Sequence, residues 1–221
     1  MKFCIYGAGA IGGHEKLAQV TASDDPHSFS QRDFVLCPLK AHQAYESAQS
    51  FAPLLGPETA VLTAMNGVPW WYFYKVSGRF DRRCVESVDR DRRQWESIGP
   101  QRVIGCVANP ASEVVAPGIV QHYAFKRFTI GEPDGIQTQR VFSLSEALIG
   151  ARFEAPVRDN IRWNIWLKLW GNDCCNPISA LTGADKMSML QDLERGLIQE
   201  RGRTAGLYEL LETPRLRAAG L

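Results

Sequence analysis

The chain has 221 residues, of which 45% are hydrophobic and 22% charged, so it is not mainly disordered and has ample apolar material for a core. Lys and Arg number 25 against 24 Asp and Glu, a formal net charge of +1. No global field therefore draws the chain to nucleic acid or to an anionic membrane, and any anion must be held by a local site.

In chain order, residues 2–6 (KFCIY) predict a short buried strand. The apolar stretch ends at once in glycines, which argues against a signal peptide. No segment reaches the ~20 apolar residues of a membrane span. Residues 15–22 predict a short helix, stopped by Asp24-Asp25-Pro26. Residues 33–39 predict a second buried strand, with Pro38 marking an irregular end. Residues 41–55 predict a helix, with Ala44, Ala48, Phe51 and Leu55 at helical spacing and Gly56-Pro57 as its stop. Residues 60–64 predict a third strand. Strand and helix alternating at this pace imply a parallel sheet with helices on its faces.

Residues 75–100 are rich in Arg and Asp and read as a solvated loop or helix at the surface. Strands are expected at 103–107, 118–123 and 127–130, then a turn at Gly131-Glu132-Pro133-Asp134-Gly135. Helices are expected at 139–150 and, densely packed, at 160–170. The helical pattern resumes from residue 176, with a break at Thr182-Gly183. The layout is a βα half followed by a helical part, joined near residues 150–160. The six cysteines form no Cys-x-x-Cys pair and no His cluster has zinc spacing, so no metal site is expected and a reducing cytoplasm is the expected compartment.

Gly7-Ala8-Gly9-Ala10-Ile11-Gly12 follows the first strand directly. In a G-x-G-x-x-G turn the first glycine allows the tight bend. The second lets a pyrophosphate approach the backbone, and the third lets the next helix pack on the strand. The turn predicts dinucleotide binding, against an unrelated glycine-rich turn. A complete unit then carries a long helix, a second strand and a ribose-binding acid. Here Asp24 and Asp25 follow no strand and read as a turn.

Several segments occur in the order found in one family. They are residues 7–13, Lys40-Ala41-His42-Gln43, Asn66-Gly67-Val68-Pro69-Trp70-Trp71, Arg102 to Val107, and Gly131 to Gly135. Ile165 to Asn172, Asn176 to Gly183 and Ser188 to Asp192 continue the series. Together they resemble the ketopantoate reductases (2-dehydropantoate 2-reductases). The resemblance implies an α/β fold with an incomplete Rossmann-like NADP-binding domain over residues 1–155. A shortened, all-α catalytic and substrate domain follows over 156–221, with the active site in the cleft between them. It implies hydride transfer from NADPH to the C2 ketone of ketopantoate, giving pantoate for pantothenate and coenzyme A synthesis.

By the same resemblance the catalytic residues are Lys168 and Glu200. Asn66, Asn172, Asn176 and Ser188 bind substrate. Gly7, Gly9, Ala10, Ile11, Gly12, Lys40, Gln43 and Asn66 line the cofactor. The residue types suit the reaction. A lysine ammonium stabilises the developing alkoxide and protonates it, and a nearby carboxylate keeps that lysine charged. Asparagines orient the substrate without competing for the proton. Lys168, Asn172 and Asn176 share one helix face if the helix continues to Pro177.

Without the resemblance, Lys168 would be a solvated helix position, Asn66-Gly67 a turn and Asn176-Pro177 a helix end. Ser188 would be a cap and Glu200 part of a solvated charged run. Trp70 and Trp71 read as packing or a cleft wall. The chain is shorter than the family, with internal gaps after Gly13 and between Ala184 and Lys186 and a compressed tail. The gaps are expected to leave one sheet edge without a neighbour. A non-catalytic copy and a reductase of another 2-oxo acid therefore stay open beside the principal reading.

Overall fold

The computed structural model describes residues 1–5, 21–116 and 119–183. The glycine turn at 7–12, nearly all of the helix expected at 15–22, Ser188 and Glu200 lie outside the described residues. The strands are β1 (Phe3–Ile5), β2 (Arg32–Cys37), β3 (Leu55–Thr63), β4 (Val103–Ala108), β5 (Ala111–Ala116), β6 (Ile119–Ala124) and β7 (Phe128–Gly131). The helices are α1 (Ala41–Glu46), α2 (Arg93–Ser97), α3 (Gln139–Gly150) and α4 (Ile161–Thr182).

Five strands form one sheet in the order β1-β2-β3-β4-β7. The first four run parallel and β7 pairs antiparallel to β4. Alternate side chains along the strands feed two apolar layers. Phe34, Ala60, Leu62, Ile104 and Cys106 face one side, where Val141, Leu144 and Leu148 of α3 cover them. Val35, Cys37, Val61, Val103 and Val107 face the other, against Phe51, Leu54, Trp70, Trp71, Ile161 and Ile165. A parallel sheet buried on both faces makes its strands read as nearly unbroken apolar runs, and the central strands do. Among the described residues β1 is the outer edge, and its Phe3 and Ile5 are 40% and 65% exposed.

The helix expected at 41–55 is corrected. α1 stops at Glu46, and Ala48–Leu54 forms a tighter 3₁₀ stretch that contains Pro53. Buried Ala48, Phe51 and Leu54 recur every third residue, the 3₁₀ period rather than the α period. Leu55, expected on the helix, opens β3, so that strand begins well before residue 60. The segment 75–100 is not wholly a solvated surface. Asp89 is fully buried and its carboxylate accepts from the backbone N–H groups of Gln94 at 2.7 Å and Trp95 at 3.1 Å, which starts α2.

β5 and β6 pair only with each other, and the sequence predicts only the second of them. α3 follows the expected span. Thr138 Oγ1 accepts from Val141 N–H at 3.4 Å as its cap, and Val141, Leu144, Ser145 and Leu148 form its buried stripe. α4 passes through Pro177 and ends at Thr182. There Gly183, at φ +69°, donates its N–H to the Ser179 carbonyl at 2.9 Å.

The chain divides into two compact units, Met1–Trp166 and Leu167–Leu221. The division falls inside α4, whose Ile161 and Ile165 are built into the first unit's core. No described helix is long and apolar enough to cross a membrane.

Candidate active site

Asn66 is delivered by a loop with two fixed ends. Thr63 closes β3, and the chain bends at Asn66, Gly67 and Val68, with Gly67 at φ +87°. A side chain at that φ would be strained, which accounts for the glycine. Trp70 and Trp71 then drop into the core at 0% exposure, as packing residues. Trp71 Nε1–H donates to Thr63 Oγ1 at 2.8 Å and closes the loop. Gly105 of β4, opposite Thr63 in register, makes the space, since a Cβ there would stand 2.7 Å from Trp71 Cη2. Asn66 is thus held exposed at the tip of an anchored bend.

Lys40 and Gln43 emerge from the same end of the sheet. β2 ends at Cys37, and Pro38-Leu39 lead to Lys40, the residue before α1. Lys40 N–H donates to Gln43 Oε1 at 3.2 Å, so Gln43 folds back over the start of the helix with its amide N–H groups directed elsewhere. Both side chains are exposed. β1, β2 and β3 are parallel, so their carboxyl ends lie along one edge, and open α/β sheets bind ligands outside that edge. An exposed ammonium and two neutral amides, those of Gln43 and Asn66, suit an anionic nucleotide there. Residues 7–12 follow the carboxyl end of β1 in the chain.

The second unit supplies the rest of the described candidates. Lys168, Asn172 and Asn176 stand at consecutive turns of α4. At ~100° per residue they fall within an ~80° arc of one face. Lys168 and Asn172 are half-buried and Asn176 is exposed. The unbroken helix through Pro177 satisfies the condition on which their common face depended.

The turn at 131–135 serves the scaffold, and its partners were not foreseen from the sequence. Glu132 is 4% exposed. Its carboxylate accepts from Arg140 Nε at 2.7 Å, Arg140 Nη2 at 2.6 Å and Thr138 Oγ1 at 2.5 Å. That contact with Glu132 raises the Arg140 pKa further. Asp134 pairs with Lys75 Nζ at 2.5 Å and accepts from Ile136 N–H at 3.1 Å. Burial pushes the Asp134 carboxyl up, but the Lys75 ammonium and the backbone N–H together outweigh it and hold the group below its usual value. Lys75 is raised in return by its bond to Asp134. Gly131 and Gly135 have no room for a side chain: an added Cβ would collide with the Arg158 and Asp159 carbonyl oxygens. Arg162, also unforeseen, donates to the carbonyls of Tyr72, Tyr74 and Pro133. Asp134 and Arg162 find partners remote along the chain, whereas Glu132 meets Thr138 and Arg140 only six and eight residues on.

The family model described as Ketopantoate reductase PanE/ApbA matches residues 3–135. The chain is 41% identical over 229 residues to a 2-dehydropantoate 2-reductase of Mesorhizobium japonicum, with 87% of this chain and 70% of that protein covered. That alignment is longer than the 221-residue chain and so opens gaps within it. A candidate ketopantoate reductase from Ralstonia solanacearum MolK2 superimposes at a TM-score of 0.77 with 29% identity, over 87% of this chain and 73% of that one. The 2-dehydropantoate 2-reductase of Geobacter metallireducens GS-15 gives 0.59 with 25% identity, over 90% of this chain and 60% of that one. With a βα sheet of this order, and with the model match covering more than half its length, the chain belongs to the ketopantoate reductase family, oxidoreductases that use a nicotinamide cofactor on a small-molecule substrate.

Proposed function

We propose that this chain reduces the C2 ketone of 2-dehydropantoate to the alcohol of pantoate with NADPH, in the cytoplasm, as a step toward pantothenate. The observation that carries the reading is the single face of α4 on which Lys168, Asn172 and Asn176 follow one another. The bound cofactor supplies the hydride. Lys168 Nζ stabilises negative charge as it develops on the ketone oxygen and gives that oxygen its proton. Asn172 and Asn176 hold the substrate's hydroxyl and carbonyl groups, and amides do so without offering a competing acid. Asn66 orients the substrate beside the cofactor, while Lys40 and Gln43 hold the cofactor at the carboxyl edge. Lys40 supplies the positive charge that favours a phosphate.

Residues 7–12 carry the diphosphate in this reading, Ser188 binds the substrate carboxylate and Glu200 keeps Lys168 charged. Residues 1–155 form the cofactor domain and 156–221 the substrate domain. The gaps against the Mesorhizobium relative favour a second reading, a shortened copy that binds nucleotide without turnover. Both are tested by following oxidation of NADPH, and separately of NADH, with ketopantoate present and identifying the product. Pantoate formed at a higher kcat/KM with NADPH supports the first reading. Nucleotide binding with no pantoate from either cofactor supports the second.

A further inference from the structure

Arg162 stands in the first turn of α4, half-buried, and its guanidinium spans two distant stretches of chain. Nε donates to the Tyr72 carbonyl at 2.7 Å, Nη2 to the Tyr74 carbonyl and Nη1 to the Pro133 carbonyl. Its Cζ lies 6.0 Å from the Trp71 ring centre and 5.7 Å from that of Tyr72. Among the described residues it forms no ion pair. One turn further, Trp166 Nε1–H donates to the Tyr72 phenol oxygen at 2.6 Å, and the two rings meet edge to face at 6.4 Å.

Burying a cation against neutral carbonyls is unfavourable without a counter-charge. Burial accordingly lowers the pKa of Arg162. An apolar side chain would fill such a position at lower cost. What it could not do is fix three carbonyls in one plane, which a rigid guanidinium fork does.

The placement gives that fork a use. Tyr72 lies six residues after Asn66, on the far side of the Trp70-Trp71 anchor, and Arg162 holds it from the first turn of α4. We propose that Arg162 is a positioning residue. It ties the segment that follows the Asn66 bend to the first turn of α4, within the first unit, and so fixes where Asn66 is presented. The inference rests on the role assigned to Asn66 above.

The test compares the full chain with Arg162→Gln and Arg162→Lys, each assayed well below its own melting midpoint. Arg162→Gln is expected to lower kcat for ketopantoate about 10- to 100-fold, since misplacing reacting groups by about an ångström costs that much. KM for NADPH should change less than about threefold, and Arg162→Lys should recover part of kcat by holding some of the carbonyls. A lower melting temperature with kcat unchanged would overturn the proposal and leave Arg162 a packing residue.

Hydrogen exchange provides a readout that does not need turnover. In Arg162→Gln, amides at 72–75 and 162–166 should exchange faster while those of β2, β3 and β4 keep their protection. Acceleration across the whole sheet, or none at the tether, contradicts the proposal. A wild-type chain that binds but never reduces ketopantoate refutes the functional reading and the positioning role with it, while exchange still reports whether the tether exists.

Discussion

Lys40, Gln43 and Asn66 stand exposed at the carboxyl edge of the parallel strands, whereas Glu132 and Asp134, in the same unit, have their carboxylates bound to named partners. Both stretches belong to the resemblance, and Asn66, like Glu132 and Asp134, is a polar residue beside a glycine. The structure separates them. At the edge the backbone is firmly anchored, through Trp70, Trp71 and the bond from Trp71 to Thr63, while the presented side chains are left to face solvent. At residues 131–135 the carboxylates themselves are the anchors. Polar groups that already satisfy one another have little left to offer a ligand, so the first region is where chemistry is expected and the second is what holds the frame.

The contrast breaks most visibly at Glu132. Replacing it with Ala leaves Arg140 without its carboxylate and frees the Thr138 hydroxyl, while Arg140 keeps only its contacts to the Gln101 and Val103 carbonyls. Its guanidinium side chain is 32% exposed, so solvent compensates in part. A loss of about 2–3 kcal/mol in urea denaturation is expected. Unchanged stability would show that the turn is not a structural latch. Lys40→Ala is the opposite case. KM for NADPH should rise about tenfold, with stability altered by less than about 0.5 kcal/mol. Added salt should weaken cofactor binding in the wild type more than in this variant. An unaltered KM would remove Lys40 from the cofactor site.

The smallest expected effect concerns Cys37, near the same edge but turned into the core. Burial pushes its thiol up to about 11 from 9.0. The unfolded chain therefore gives up this proton first as pH rises. Its contribution to stability is complete below the unfolded pKa and is lost as pH climbs through the folded one. From about pH 8 to about pH 10 the wild type should lose about 1 kcal/mol that Cys37→Ala does not lose. Parallel pH profiles in the two proteins would show that the thiol is not so buried.

β2, β3, β4 and α3 were legible because burial on both faces, or a stripe at helical spacing, leaves its mark in nearby residues. Residues 41–55 misled because apolar positions three and four apart fit a 3₁₀ stretch and an α-helix almost equally well. α2 was hidden in a charged segment because it starts from one buried carboxylate, Asp89. Lys40, Gln43, Asn66 and the polar face of α4 were singled out only through the resemblance, since by themselves Asn66-Gly67 reads as a turn and Lys168 as a solvated helix position. The Lys75–Asp134 and Arg162–Tyr72 contacts could not be found, since their members are 59 and 90 residues apart. Local pattern carries no trace of pairs that only the folded chain brings together.

The most direct test is the initial rate of NADPH oxidation with ketopantoate, measured side by side for the wild-type chain and Lys168→Ala under conditions where both are folded. The account predicts turnover in the wild type, a loss of roughly a thousandfold in kcat in the variant, and closely similar melting temperatures. Equal rates in the two proteins would contradict the assignment of Lys168, and no pantoate from either would contradict the proposed function itself.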